Sequence, residues 1–152
     1  MNKEKTIDTL NTLVEINNDR IEGYETAINE TNEEDLKTIF SQFARTSHKC
    51  KVELIEEVRK LGGTPEKGTR TSGKFYRAWM DIKAALTGKD REVILNSCEF
   101  GEDVAIETYH KVLKDEIENL SAEQHALVSA QQDLIKADHD KVRSMRDMAV
   151  KL

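Results

Sequence analysis

Residues 98–110 read CEFGEDVAIETYH, and a stripe at spacings of three and four runs through and beyond them: Leu95, Cys98, Glu102, Ala105, Tyr109, Leu113. That period marks one face of a helix. Glu102 therefore stands on a core-forming face, seven residues before a Tyr on the same face. An unpaired buried charge is too costly to persist and would instead raise its pKa, so the partners of Glu102 decide what this helix belongs to.

Three further stripes surround it. The first runs Ile7, Leu10, Val14, Asn17, Ile21, Tyr24, Ile28, and the second Leu36, Phe40, Phe43, Ser47, Cys50, Leu54, Leu61. The last runs Val128, Gln131, Ile135, Asp138, Val142, Met145, Ala149. Thr31 with Glu34, and Ser121 with Gln124, have capping-box spacing. In LGGTP, Gly62 or Gly63 can take the left-handed conformation of a helix end, and Pro65 blocks continuation. Helices one and two, and three and four, are joined by short turns, which predicts two antiparallel hairpins. Residues 62–89 are too many for a turn. Within them KFYRAWMDIKAALTG aligns Tyr76, Trp79, Lys83 and Leu86, or Phe75, Trp79, Ile82 and Leu86. This predicts a short crossover helix capped by Ser72 and ended at Gly88, which would make helices two and three parallel. The expectation is one all-α domain over residues 1–152, a four-helix bundle with a fifth helix in its crossover.

Composition agrees. One Pro and seven Gly in 152 residues are too little punctuation for many strands. Lys and Arg total 23 against 29 Asp and Glu, a net charge of −6 with the two signs interspersed, which argues against nucleic acid and anionic membrane as partners. No apolar run has the length of a signal peptide or membrane span, so a soluble, cytoplasmic protein is expected, with Cys50 and Cys98 as reduced thiols.

Helix three overlays helix one at an offset of 85 residues, placing Glu102 on Asn17, Ile106 on Ile21 and Tyr109 on Tyr24. Helix four overlays helix two at 88, placing Val128 on Phe40, Ile135 on Ser47, Asp138 on Cys50 and Val142 on Leu54. A pseudo-twofold bundle follows, with Asn17, Ser47, Cys50, Glu102 and Asp138 expected to share one polar layer at mid-height. Two hairpins on a long crossover around such a layer resemble the ferritin-like superfamily. Within it, IEGYETA, VRKLGG, WMDIKAALTG, GEDVAIETY and KADHDKV, in this order, are similar to an uncharacterised bacterial family of ferritin-like four-helix bundles of about this chain's length, a domain of unknown function.

The resemblance implies where metal would bind. Ferritin-like di-iron proteins place a Glu on each of helices one and three and a Glu-x-x-His on each of the other two. By position, Glu102 is kept, while Asn17, Ser47, Cys50, Ile135 and Asp138 stand where the other ligands would; a register one residue along helix four gives Lys136 and His139 instead. The resulting expectation is a non-catalytic, stress-associated, interaction or structural bundle with a degenerate di-iron site and no cofactor. The alternative is a metal-dependent oxidase or metal-storage protein holding iron or another first-row metal through Glu102, Asp138, His139 and one of Asp19 or Glu22. A thiol redox sensor at Cys50 and Cys98 ranks third.

The remaining candidates have plainer readings. His48, beside Arg45 and Lys49, is expected to face outward, and His110 and His125 lack any carboxylate constellation. Gly23 and Gly101 are explained by close helix contact, and TPEKGTRTSGK, lacking phosphate-loop spacing, by a linker. No nucleophile, base and acid come together. The outer face of the crossover helix, with Trp79 and Met80, is the candidate patch for a homodimer or higher oligomer.

Overall fold

The computed structural model describes residues 2–68 and 91–151, and the described residues are helical apart from the chain ends, the connections between helices and the segment that follows the second helix. Four long helices account for them: α1 (Lys3–Glu30), α2 (Glu34–Lys60), α3 (Arg91–Asp115) and α4 (Ala122–Lys151), with a 3₁₀ turn at Ile117–Asn119 before α4. The expected crossover helix, with Ser72, Phe75, Tyr76, Trp79, Met80, Ile82, Lys83, Leu86 and Gly88, lies outside the described residues.

Local chemistry sets the ends. Asn2 caps α1 by accepting from the N–H groups of Glu4 and Lys5. α2 closes with Gly62 at φ 77°, the Gly63 N–H donating to Val58 O and the Gly62 N–H to Arg59 O, the hydrogen-bond pair of a Schellman motif. Ser121 and Gln124 form the expected reciprocal box, each backbone N–H donating to the other's side chain. Thr31 and Glu34 do not. Thr31 Oγ1 accepts from the Glu33 N–H instead, because Thr31 already closes α1 by donating its backbone N–H to Ala27 O.

Cross-helix contacts fix the topology. Along α1 and α2, Tyr24 meets Phe40 and Phe43, and Arg20 meets Ser47. Along α1 and α3, Asn17 meets Tyr109 and Arg20 meets Glu102. Along α3 and α4, Tyr109 meets Gln131, and Glu99 meets Arg146. Cys50 of α2 meets Gln131 of α4, and Gln42 meets Lys141. In every pair one residue number rises as the other falls, so all four neighbouring pairs are antiparallel and α2 runs parallel to α3, as expected. Arg91, first in α3, accordingly reaches Glu33 and Asp35 at the start of α2.

The four stripes face inward, the last as far as Met145, but α1 buries more than its stripe: Leu13, Ile16, Asn18, Asp19 and Arg20 are also buried. The chain beyond α2 covers the outer side of α1. Gly63 packs on Ile7 so closely that an added Cβ would stand 2.9 Å from it. Further along, Asn11 bonds Thr64 and Glu66, and Asn18 donates to Gly68 O.

The apolar core is divided in two. One cluster holds Tyr24, Phe40, Phe43, Ile94, Cys98 and Val142 among others, and the second is built around Leu10, Val14, Leu54, Tyr109, Val128 and Ile135. Both cysteines are free and buried. Burial pushes the Cys50 thiol up to about 11, and burial together with the nearby Glu102 pushes Cys98 further up. Reactivity belongs to the thiolate, so neither thiol should react with a disulfide reagent in the native protein at pH 8, and both should react once it is unfolded in denaturant. A native thiol titrating as fast as free cysteine would contradict this packing.

Candidate functional site

Between the two apolar clusters stands a side chain the stripes do not single out. Arg20 has no solvent exposure and is the largest fully buried side chain among the described residues. It comes from α1 and meets each of the other helices. Its Nη1 donates to Ser47 Oγ of α2. Nε and Nη2 both donate to Glu102 Oε1 of α3, at 3.2 and 2.8 Å, and Nη2 also donates to Asp138 Oδ2 of α4 at 3.2 Å. Tyr24, one turn along α1, places its ring 5.6 Å from the guanidinium carbon and donates its hydroxyl to the same Glu102 oxygen. Phe43 meets that ring edge-on at 5.2 Å and fixes it.

Burial works against the charge on Arg20, but Glu102, with Tyr24 and Asp138 behind it, overrides that and holds the guanidinium pKa above its ordinary value. Burial, reinforced by Glu102, drives the Tyr24 hydroxyl well above its usual range, so it stays a donor. Asp138 is raised to about 6, by burial first and by Glu102 in addition, against the pull of Arg20.

The single polar layer expected from the sequence is two layers. Ser47, Glu102 and Asp138 surround Arg20. Asn17 belongs to the next, where its Nδ2 donates to the Tyr109 hydroxyl at 2.8 Å; that hydroxyl donates to Gln131 Oε1, and Gln131 Nε2 donates to the backbone oxygen of Cys50. The correction has a physical reason: the internal repeat pairs the tyrosine of one hairpin with the polar residue of the other. Tyr24 bonds Glu102, and Tyr109 bonds Asn17, so the two contacts are symmetry mates at the offset of 85. The mate of Arg20 in that repeat is Ala105, also fully buried. A long side chain on one half faces a methyl on the other.

The residues of the alternative metal set are divided. Asp138 turns to Arg20, while His139, next in the chain, turns outward to α3, its Nε2 lying 2.7 Å from Asp103 Oδ1 and 3.7 Å from Glu99 Oε1. Asp19 is buried and Glu22 exposed. Ile135 lies in an apolar cluster. His48 faces outward, 3.5 Å from Glu25.

Residues 5–115 match a family described as a domain of unknown function (DUF2383). The chain belongs to this family. The match spans α1, α2 and α3, so within the family frame Arg20, Ser47 and Glu102 lie inside the matched region, and Asp138, Gln131 and His139 on α4 lie beyond it. The comparison with curated proteins finds no match.

Removing the cation alone would strand two carboxylates in the core. Arg20→Met should therefore cost about 3–5 kcal/mol, measured by urea denaturation. Adding Glu102→Gln and Asp138→Asn to it should restore most of that loss, since no buried charge is then left unpaired. A triple variant as unstable as the single one would show that shape rather than charge dominates.

The pH dependence has a definite sign. Asp138 titrates at about 6 when folded, above the 3.8 of an ordinary aspartate. The folded state thus holds this proton more tightly, and the stability it contributes below pH 4 is lost as pH rises through 6. Wild type should lose stability relative to Asp138→Asn between pH 4 and 7. A constant difference between the two curves would remove Asp138 from the titration.

Proposed function

We propose that the protein is a non-catalytic member of the ferritin-like superfamily, an interaction or structural bundle in which a guanidinium takes the place of a di-iron centre. The observation that carries this reading is Arg20, fully buried and bonded to Ser47, Glu102 and Asp138. The antiparallel hairpins with parallel α2 and α3, and the contact between tyrosines and polar residues across the pseudo-twofold, support the superfamily assignment.

The residues do not fit two metal ions. A di-iron centre needs carboxylates to bridge and neutralise the cations and imidazoles to complete their shells. Here the two available carboxylates are both engaged by Arg20, which cannot give up its charge and would repel an incoming dication. Cys50, raised to about 11, is a poor ligand at neutral pH, and Ile135 is none. No imidazole is directed at this layer, since His139 faces Asp103 on the outside. No helix among the described residues is long and apolar enough to cross a bilayer.

The test is Fe(II) oxidation in air. Untagged protein should oxidise Fe(II) no faster than a redox-inert acidic protein at equal concentration, and Glu102→Ala should change nothing. Rapid oxidation abolished by Glu102→Ala would hand the centre to the oxidase reading. Rebuilding the site should require Arg20→Ala in addition to Asn17→Glu, Ser47→Glu, Cys50→His, Ile135→Glu and Asp138→His. The same design with Arg20 retained should bind no iron in the core.

A further inference from the structure

The outer flank of the α3/α4 hairpin carries a second group of charged side chains, independent of the Arg20 layer. Glu99 and Asp103 are one helical turn apart on α3, so their carboxylates share a face. His139 on α4 stands opposite. One ligand atom from each, a carboxylate oxygen from Glu99 and from Asp103 and an imidazole nitrogen from His139, lies within 4.8 Å of both others. We propose that Glu99, Asp103 and His139 form a binding site for one divalent first-row transition-metal cation, clamping α3 to α4.

Three observations carry this. First, His139 Nε2 is shielded from solvent and faces two carboxylate oxygens, of Asp103 at 2.7 Å and Glu99 at 3.7 Å, without the alignment of a hydrogen bond to either. A nitrogen so placed offers its lone pair to a cation between it and the two carboxylates. Second, the outer contacts orient the ligands. His139 Nδ1 lies 3.4 Å from Asp140 Oδ1; a metal-binding histidine commonly donates its other ring N–H to a carboxylate in this way, which fixes the tautomer. Arg146 likewise holds Glu99 Oε2 and leaves Oε1 facing His139. Third, the charges balance: Glu99 and Asp103 offset one dication, and Asp140 beside His139 offsets Arg146 beside Glu99. Asp103 is exposed, so water can reach the site and complete the coordination shell.

The donor set selects the class of metal. Imidazole favours first-row transition ions over magnesium or calcium, and two carboxylates with one imidazole suit manganese through zinc. Ligand distances of roughly 2.0–2.2 Å around zinc require Asp103 Oδ1 to open slightly from its 2.7 Å contact with His139 Nε2 and Glu99 Oε1 to close from 3.7 Å, both side-chain movements.

Zinc and cobalt serve as the probes. Calorimetric titration of untagged, metal-free protein with Zn(II) should show one saturable equivalent per chain. His139→Gln and Asp103→Asn should each weaken it at least tenfold, Asp140→Asn by about tenfold, and His48→Ala not at all. Co(II) should give a visible ligand-field absorption that His139→Gln abolishes, and Zn(II) should raise the melting temperature of wild type but not of that variant. Asp140 is exposed, so its variant tests the site even if His139→Gln perturbs folding. The absence of a saturable equivalent in wild type, or an equivalent that survives unchanged in both His139→Gln and Asp140→Asn, overturns the proposal.

Discussion

The guanidinium of Arg20 is the point at which all four helices meet. It extends from α1 and is held by Ser47 on α2, Glu102 on α3 and Asp138 on α4. Taking these charges out of water is unfavourable by several kcal/mol per ion, and the layer is tolerated because Nε, Nη1 and Nη2 of Arg20 each donate to an oxygen of Ser47, Glu102 or Asp138. Lysine could not replace it. A compact ammonium presents its donors around a single atom, whereas the planar fork of Arg20 spreads five N–H groups over separate directions. That spread lets one side chain satisfy three helices.

Such a layer constrains the bundle more sharply than an apolar one. Phe40, Leu54 or Val128 would find some contact after a shift of one turn, since dispersion is not directional. Glu102 would not. Displacing α3 by a turn would leave its carboxylate among apolar residues and Arg20 without its main counter-charge. The polar layer thus selects one vertical alignment of the helices while the two apolar clusters, one on each side of it, supply the driving force. Buried ionic groups serve as register devices in other helical assemblies for the same reason. The second layer, through Asn17, Tyr109 and Gln131, adds an uncharged copy of the constraint.

The architecture was legible in the stripes because each helix has one dominant buried face. The Gly62 termination and the Ser121–Gln124 box were legible because they depend on neighbours in sequence. Arg20 was not. Both Arg20 and Ile21 satisfy the spacing between Asn17 and Tyr24, and apolarity alone chooses Ile21. The missed signal was charge balance: two acidic residues, Glu102 and Asp138, on inward-facing stripes require a cation, and Arg20 is the basic residue adjoining a stripe at their height. The burial of Asn18 was hidden for a different reason. It depends on residues 63–68 lying over α1, a contact between segments far apart in sequence that periodicity within one helix does not encode.

Glu102 therefore has its partner, and the nature of that partner determines what the centre can do. A metal ion held by carboxylates can be exchanged, change valence and leave open positions for another molecule. A guanidinium is covalently part of α1, keeps one charge over the accessible pH range, and has its N–H groups directed at protein oxygens. Asp138 is raised toward neutrality by burial first and by the neighbouring Glu102 in addition, against the pull of Arg20. The layer can thus take up a proton at Asp138 without losing the Arg20–Glu102 pair. Its responsiveness is confined to one carboxyl at the α4 edge, and the alignment of α1 with α3 does not depend on it.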